Sequence, residues 1–502
     1  MYKTLAKCLV ISLFMLLPQV KAEPYIAPDD LSLRANIQLL VEQGVLQTMT
    51  TTYPMMWVEL KRAMDQVDEE GLSGNNLNAY LFLQQQYELS KGTRSVVRIN
   101  GAAKANRFHS FGDDFRNKNN ANLALSSDWN NVSVKLSTSV TSSDIDGDEF
   151  QFDGSYVGFV AGNWNVNAGL QDRWWGPGWD SNLGLTNNAR PMPTITLSRN
   201  QAFPFKVPFT EYEIPWTVTT FMGQMEEERH VPNTLLWGFR FSFMPIDNLE
   251  ISLTRLAQWS GDDRPSDFDT FTNVLIGKDN CDRNGLDCGV NNSNEPGNQQ
   301  AGYDLRYSLN IFEKAFTVYG TYYGEDGSTD NLSFISRPII QAGFDTSFNW
   351  FGDYQKVYLE YSDTFKSCSN KDAPDRGNCF YEHHIYHTGM RYKGRNLGNL
   401  YDNDSESIVG GLIWQNFDKS VWTVKLRYLE VNNDDLDRYP NDPNLGHTIS
   451  KVSEDIIMFS GDYEKTLPMF TYKIGTSISQ SEFTQLSSSN EFNVFLQLRK
   501  EL

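Results

Sequence analysis

The sequence has few basic residues and, beyond its N-terminus, no long apolar run. Its 502 residues include 43 Lys and Arg against 63 Asp and Glu, which gives a formal charge of −20. This balance argues against a nucleic-acid partner, because neutralising phosphates requires a basic surface. After residue 22 no apolar run approaches the roughly 20 residues that a membrane-spanning helix needs. The composition therefore excludes a helical membrane protein, a coiled coil and a collagen-like chain.

The N-terminus has the pattern of a cleavable signal peptide. A basic start precedes the apolar stretch Cys8–Leu17, and small or modest side chains stand before a cleavage point after Ala22. The apolar stretch is too short to cross a bilayer as a helix, which takes about 20 residues. We therefore predict that residues 1–22 are removed and that the chain is exported.

Four cysteines remain after the predicted cleavage, in two local pairs. Cys281 and Cys288 bracket one polar loop, and Cys368 and Cys379 bracket another. An even number of cysteines in an exported chain favours disulfides, and bonds within each pair are the simplest of the possible connectivities. A zinc site is the alternative, but the spacing within each pair is wider than zinc sites usually have.

Residues 23–95 have apolar side chains at helical spacing. In the first stretch Leu33, Ile37 and Leu40 recur on one face, and Gly44 ends the pattern. Two further stretches, residues 54–67 and 76–89, repeat it. We predict a small N-terminal bundle of about three short helices.

From residue 96 to residue 502 the hydrophobic pattern changes to a period of two. In the segment 421–428, for example, Trp422, Val424 and Leu426 alternate with polar residues. About eighteen such segments occur, one per roughly 22 residues, which fits strands of about ten residues with loops. Tight connections alternate with long Asn-, Asp- and Gly-rich ones. We predict an all-β transmembrane barrel of about 18 antiparallel strands, with short periplasmic turns and the helices on the periplasmic side.

The segment 171–216 contains four Trp and six Pro and has little strand pattern. A long segment of this kind is usually a functional or plugging loop. Trp rings stack on sugars, while Asp, Asn and Arg bind sugar hydroxyls. The turn at Gly176-Pro177-Gly178 is predicted to bring Trp175 and Trp179 together as a stacking platform. Alternatively, the Trp side chains form a membrane-interface girdle or pack inside the barrel. The candidate polysaccharide-binding residues are Arg173, Trp174, Trp175, Trp179, Asp180, Asn187, Asn188 and Arg190.

Charge adds a further expectation for this segment. Many surface polysaccharides are acidic, and a chain of net charge −20 repels such a partner. A local positive cluster is then needed to recover affinity. Arg173 and Arg190 are the nearest candidates.

The string DRWWGPGWDSNLGLTNNARPMP at residues 172–193 resembles the capsule assembly Wzi family of outer-membrane proteins. The N-terminal helical region, with Ile37–Leu40 and with Tyr53-Pro54 ahead of Trp57, is similar to that family as well. The resemblance runs over nearly the whole mature chain. It implies an eighteen-stranded barrel with periplasmic helices, and a surface lectin that holds capsular or related exopolysaccharide on the outer membrane.

No catalytic motif is present: the sequence lacks a G-x-S-x-G elbow, a P-loop and an H-E-x-x-H helix. We therefore expect no enzymatic activity and no cofactor. We also expect no metal centre, because His383 and His387 share a strand face that His384 opposes. Weak Ca²⁺ bridging by the acidic loops stays open. The expected partners are extracellular polysaccharide, outer-membrane lipid and lipopolysaccharide, and the protein is expected to be a monomer.

The alternative function is a diffusion channel or oligosaccharide porin, because a barrel of this size leaves a lumen unless it is plugged. The helical residues 23–95 and the segment 171–216 provide enough material to block such a pore. The sequence therefore favours a surface anchor over a channel.

Reduction should open two local loops, 281–288 and 368–379, without unfolding the barrel. Each bridge closes a short loop and is expected to contribute roughly 2–3 kcal/mol to local stability. Peptide mapping under non-reducing conditions checks the pairing. A peptide that joins Cys288 to Cys368 would contradict it.

Overall fold

The structure of the protein is a computed structural model. The residues that it describes are 23–113, 115–142, 145–277, 297–311, 314–325, 338–350, 352–366, 380–416, 419–436 and 445–502. The predicted signal peptide, residues 1–22, and the four loop cysteines, Cys281, Cys288, Cys368 and Cys379, lie outside the described residues. The cleavage site and the disulfides therefore stay predictions.

Eighteen antiparallel strands of the described chain close into one barrel. They are β1 Arg94–Ala102, β2 Asn119–Trp129, β3 Val132–Thr141, β4 Phe150–Gln151 with Tyr156–Ala161, β5 Trp164–Gly169, β6 Thr194–Arg199, β7 Trp216–Gln224, β8 Leu235–Ile246, β9 Leu249–Trp259, β10 Gly297–Ile311, β11 Lys314–Gly324, β12 Ile339–Trp350, β13 Asp353–Asp363, β14 Ser405–Gln415, β15 Ser420–Val431, β16 Glu454–Thr466, β17 Thr471–Phe483 and β18 Ser489–Glu501. Each strand pairs with the next, and β18 pairs with β1, with Leu498 opposite Ile99. The predicted barrel of about eighteen strands is confirmed.

The strands are apolar on the outside and polar on the inside. On β15, Trp422 and Leu426 point outward and are 45% and 56% exposed. Lys425 and Arg427, on either side of Leu426 in the sequence, point inward and are buried. This pattern is the inverse of that in a soluble protein, whose apolar side chains face inward. It suits a lipid environment outside and a polar lumen inside, as in membrane β-barrels.

The two ends of the barrel differ in the length of their connections. At one end β2–β3, β4–β5 and β8–β9 are joined by two-residue turns, and Asn130 and Asn248 in those turns adopt positive φ, which Asn tolerates. At the other end the connections 103–118, 170–193 and 364–404 are long. In outer-membrane barrels the short turns are periplasmic and the long loops extracellular.

The segment 171–216, which the sequence predicts to have little strand pattern, divides into three parts. Residues 170–193 form a loop that enters the lumen, and we call it the lumen loop. It is followed by a wall strand, β6, and then by a hairpin in which Phe205–Lys206 pairs with Glu213–Ile214. The wall strand has only six residues, in which the outward Ile195 and Leu197 alternate with inward polar residues, and it pairs with β5 on one side and β7 on the other.

Three helices precede the wall: α1 Leu31–Glu42, α2 Trp57–Met64 and α3 Gly74–Ser90. A fourth, α4 Phe268–Leu275, lies in the long connection after β9 and was not predicted. α1 begins after Asp30, whose carboxylate accepts the backbone N–H of Leu33 at 2.8 Å. Among the described residues no helix is long and apolar enough to cross a membrane.

α1 is buried on nearly every side because it lies inside the short-turn end of the barrel. Ile37 and Leu40 are fully buried in a cluster that includes residues of α3 and tyrosines of the wall. The Asn36 amide donates to Oε1 of Gln415, at the end of β14, at 3.0 Å. The helical region thus closes the end of the barrel that the short turns identify as periplasmic.

Candidate functional site

The lumen loop fills the middle of the barrel from the long-loop end. The rings of Trp174, Trp175 and Trp179 are at most 1% exposed. Gly178 is needed at the tight turn of this loop, because a Cβ there would lie 1.9 Å from the carbonyl oxygen of Ser181. The loop is a packed internal plug.

The Trp rings of the lumen loop do not form a common platform. Trp179 stacks on Tyr358 of β13 with ring centroids 5.9 Å apart, while Trp175 meets the edge of Phe221 on β7 at 5.5 Å. The two rings belong to separate buried clusters. The predicted pairing of Trp175 with Trp179 is therefore wrong, because the turn at residues 176–178 directs the two rings to different parts of the wall.

Asp180 anchors the lumen loop to β15. Its carboxylate accepts from Nη2 of Arg427 at 2.7 Å and from Nζ of Lys425 at 3.1 Å, and the Tyr401 hydroxyl also donates to it. Burial raises the pKa of Asp180, but the two cations outweigh burial and hold this pKa well below its usual range. Asp180 is therefore an ionised carboxylate sealed inside the barrel.

A carboxylate of the wall holds the backbone beside Asp180. Glu360 of β13 accepts the backbone N–H of Asp180 at 3.0 Å and that of Trp179. It also accepts the hydroxyl of Tyr319 at 2.8 Å. The loop turn is thus fixed both by its side chain and by its main chain.

A second charged cluster anchors α1 from the other end of the lumen. Glu42 accepts from Lys356 at 2.6 Å and from Arg306 at 2.5 Å. Asp345 accepts from the same two cations, at 2.7 Å from Lys356 and 2.9 Å from Arg306. Two acids and two bases balance, so this fully buried cluster carries no net charge.

The helical plug and the lumen loop meet inside the barrel. Arg34 of α1 donates to the carbonyl oxygens of Pro177 and Gly178 at 3.0 and 2.8 Å. Its guanidinium also lies 4.4 Å from the ring centroid of Trp179. The described residues therefore fill the lumen from both ends.

The remaining predicted site residues are also engaged within the protein. Arg173 donates to the hydroxyls of Thr194 and Thr196, both at 2.8 Å. The Asn187 amide donates to the carbonyl of Ser110 at 3.2 Å, and the Asn188 side-chain oxygen accepts from Arg395 at 3.0 Å. Nε1 of Trp174 donates to the carbonyl of Gly178 at 3.0 Å. These contacts give the predicted residues packing roles. Their contact with a glycan stays a prediction.

Arg190 does not supply an uncompensated positive charge. Its guanidinium pairs with Asp153 at 2.9 Å, Asp148 at 2.7 Å and Asp146 at 2.5 Å. Burial lowers the pKa of Arg190, but the acids outweigh burial and raise it. The expected positive cluster of Arg173 and Arg190 is therefore not present, because three carboxylates distant in sequence surround the second arginine.

Two of the cavities among the described residues lie between the connection 103–118 and the inner wall of the barrel. One, of about 100 Å³, lies between the connection 103–118 and the inner wall of β1 and β15–β18. The other, of about 120 Å³, lies between the N-terminal residues 23–29 and the inner wall of β1–β4. Polar and apolar side chains line both cavities.

Comparison with known proteins identifies the family. A family model for the capsule assembly protein Wzi matches residues 90–494. The chain belongs to the Wzi family. A Klebsiella pneumoniae protein described as an uncharacterised 55.8 kDa protein in the cps region is 27% identical over 423 residues, which cover 83% of this chain and 80% of that protein.

The fold of the chain matches a solved structure of the same family. That protein, Wzi of Escherichia coli, is described as an outer-membrane protein involved in group 1 capsule assembly and as a carbohydrate-binding β-barrel. The superposition has a TM-score of 0.78 at 22% identity and covers 96% of this chain and 99% of the other. The resemblance found in the sequence is thus confirmed, and the Wzi family is a family of non-enzymatic barrel proteins.

The charged residues that hold the plug of this Wzi-family barrel were missed by the sequence analysis. Lys425, Arg427 and Glu360 lie on ordinary alternating strands, where an inward polar side chain looks the same whether it lines water or binds a loop. The sequence feature that could have identified this anchor is the pair Lys425 and Arg427, two residues apart on the polar face of β15. Its partner, Asp180, is 247 residues away from Arg427.

Asp180→Asn should loosen the lumen loop while the barrel stays closed. The substitution leaves two buried cations without their carboxylate, and removing one partner of such a pair typically costs about 3–5 kcal/mol. Hydrogen exchange in residues 170–193 should rise, while heat-modifiable migration of the barrel is unchanged. Asp148→Asn, at a half-exposed acid of the Arg190 cluster, is the matched control and should have little effect. Equal protection in both variants would contradict the anchoring role.

Acidification should loosen the extracellular segments. Burial lowers the pKa of His383 to about 3 and also lowers the pKa values of His109 and His447, so the folded state holds these imidazoles neutral. Their contribution to stability is complete above the unfolded pKa of about 6.5 and is lost as the pH falls below it. Hydrogen exchange in residues 103–113 and 380–404, corrected for intrinsic rates, should therefore be faster at pH 5 than at pH 7.5. Unchanged protection would contradict the burial of neutral imidazoles.

Proposed function

We propose that this protein is an outer-membrane surface lectin that binds capsular or related exopolysaccharide and anchors it at the cell surface. The observation that carries the proposal is the sealed lumen in a chain of the Wzi family. Buried ionic contacts hold a plug from each end, at Asp180 and at Glu42. A barrel built in this way presents a surface and does not offer a passage.

A rigid extracellular face supports a binding role. The segment 380–404 packs onto the lumen loop through the Tyr381 hydroxyl, which donates to the carbonyl of Leu183 at 2.6 Å. The Thr186 hydroxyl donates to the carbonyl of Gly398, also at 2.6 Å. A surface that is ordered before binding loses less conformational entropy when a ligand binds.

The diffusion channel or oligosaccharide porin is the competing function. A transport pore of this strand number needs an open lumen. The contact of Arg34 with Pro177 and Gly178 joins the two plugs across that space. No contact among the described residues favours the channel.

The proposed cellular setting follows from the wall. Its apolar outer face contacts outer-membrane lipid, with lipopolysaccharide around the long-loop end. We also propose a monomer: the pairing of β18 with β1 closes the barrel without a strand from a second chain, which is compatible with this state. We further propose that the signal peptide is cleaved after Ala22 and that Cys281–Cys288 and Cys368–Cys379 are disulfides of the external loops.

Binding of purified capsular polysaccharide to the folded barrel in detergent tests the function. The expected result is saturable retention of acidic capsular polysaccharide on the immobilised protein, with a neutral glucan as the control ligand. Absence of binding, together with intact heat-modifiable migration, would contradict the proposal.

Planar-bilayer conductance separates the lectin from the channel. The protein should give no ohmic steps, whereas a variant that lacks both plugs, residues 23–90 and 176–190, should have an open lumen and give them. The deletion variant controls for insertion into the bilayer. Steps of equal size from both proteins would favour the porin.

A further inference from the structure

A pocket at the extracellular side of the barrel has features of a sugar subsite. It lies between the connection 103–118 and the inner wall of β1 and β15–β18, and we call it the β15–β18 pocket. Its volume of about 100 Å³ far exceeds the roughly 15 Å³ that one water needs. The half-exposed Lys104 stands at its rim. The pocket has room for several waters or one sugar ring.

Part of the wall of the β15–β18 pocket is aromatic. Phe115 of the connection and Phe495 of β18 line it, and both rings are partly exposed. Phe108 also lines the pocket and is buried against Tyr401, with ring centroids 5.2 Å apart. Rings supported in this way can pack against the C–H face of a sugar.

A buried acceptor in the same pocket has no partner. Asn117 is 4% exposed, and its amide nitrogen donates to the hydroxyl of Thr141 at 3.2 Å. Its side-chain oxygen has no hydrogen bond. A buried acceptor left unpaired is costly, so a ligand hydroxyl that donates to it would be stabilised.

The pocket is positive at its β15 wall. Two of its four lining cations are paired outside that wall, Lys104 with Glu491 and Lys473 with Asp462. The other two, Lys425 and Arg427, share one carboxylate inside the lumen, Asp180, so one positive charge of this pair is not neutralised. The Lys425 ammonium has three donors, and its acceptors among the described residues are the Ser110 hydroxyl and Asp180. One N–H of this lysine is thus available to a ligand.

The second cavity beside the plug has the opposite charge. Five carboxylates and three cations line it: Glu23, Asp29, Asp113, Asp153 and Asp172 with Arg98, Arg116 and Lys135. An anionic ligand is therefore repelled there and attracted to the β15–β18 pocket. The acidic lining of the second cavity agrees with the net charge of −20, whereas the unneutralised cation of the β15–β18 pocket does not.

We propose that the β15–β18 pocket binds one acidic sugar residue of the polysaccharide, a hexuronate. Lys425 binds its carboxylate beside Arg427, Phe115 and Phe495 pack against its ring, and Asn117 accepts one of its hydroxyls. This inference rests on the proposed function and names the substrate class for it. The lumen loop contributes indirectly, since Asp180 positions the two cations.

The test uses the full mature barrel in detergent and two small probes. Methyl β-D-glucuronide should bind in ligand-observed NMR titrations, and methyl β-D-glucoside, which lacks the carboxylate, should bind more weakly. Lys425→Gln keeps the Arg427–Asp180 pair and should weaken glucuronide binding by about tenfold, the loss expected for a charge-assisted hydrogen bond. Lys135→Gln changes a lysine of the other cavity and is the matched control.

Phe495→Leu keeps an apolar side chain, removes the stacking ring and provides a second variant if the lysine substitution disturbs the fold. This substitution should weaken the binding of both methyl glycosides. Full glucuronide and polysaccharide binding by Lys425→Gln and Phe495→Leu would overturn the pocket while leaving the proposed function standing. A wild-type protein that binds no polysaccharide would refute the function, and the glucuronide titration would still decide the pocket.

Discussion

The structure depends on charge neutralisation inside a wide barrel. Because the outer face must be apolar for lipid, strand alternation turns the polar face inward, and a plug that enters this lumen must satisfy buried charges. Glu42 does so for Arg306 and Lys356, and Asp180 does so for Arg427. Without these carboxylates the inward cations would require water, and the lumen would stay wet.

The two plugs are mutually dependent. α1 enters from the short-turn end and the lumen loop from the long-loop end, and Arg34 joins them through the carbonyls of Pro177 and Gly178. The same guanidinium lies over Trp179, so cation and ring pack together without solvent. The Trp-rich string carries the resemblance of the sequence to the family, and its rings pack inside the seal.

Sealing the lumen directs recognition to the extracellular end. Arg306 and Lys356 are neutralised by the helical plug and its neighbouring wall carboxylate, and Arg190 is surrounded by three acids. Lys425 and Arg427 share a single carboxylate and so retain a positive charge that faces a pocket. An acidic protein can attract an acidic polymer in this way, since a local field in a concave site outweighs a distant net charge.

The sequence by itself determined the barrel, its approximate strand number, the N-terminal helices and the segment that fills the lumen, because these follow from local periodicity. Only the tertiary structure decided which side chains meet. Asp180 and Arg427 are 247 residues apart, and Glu42 and Lys356 are 314 apart, so the closed strand register alone brings them together. For the same reason the predicted pairing of Trp175 with Trp179 was wrong. Residues close in the sequence of an irregular loop can pack against different strands of the wall, as these two do.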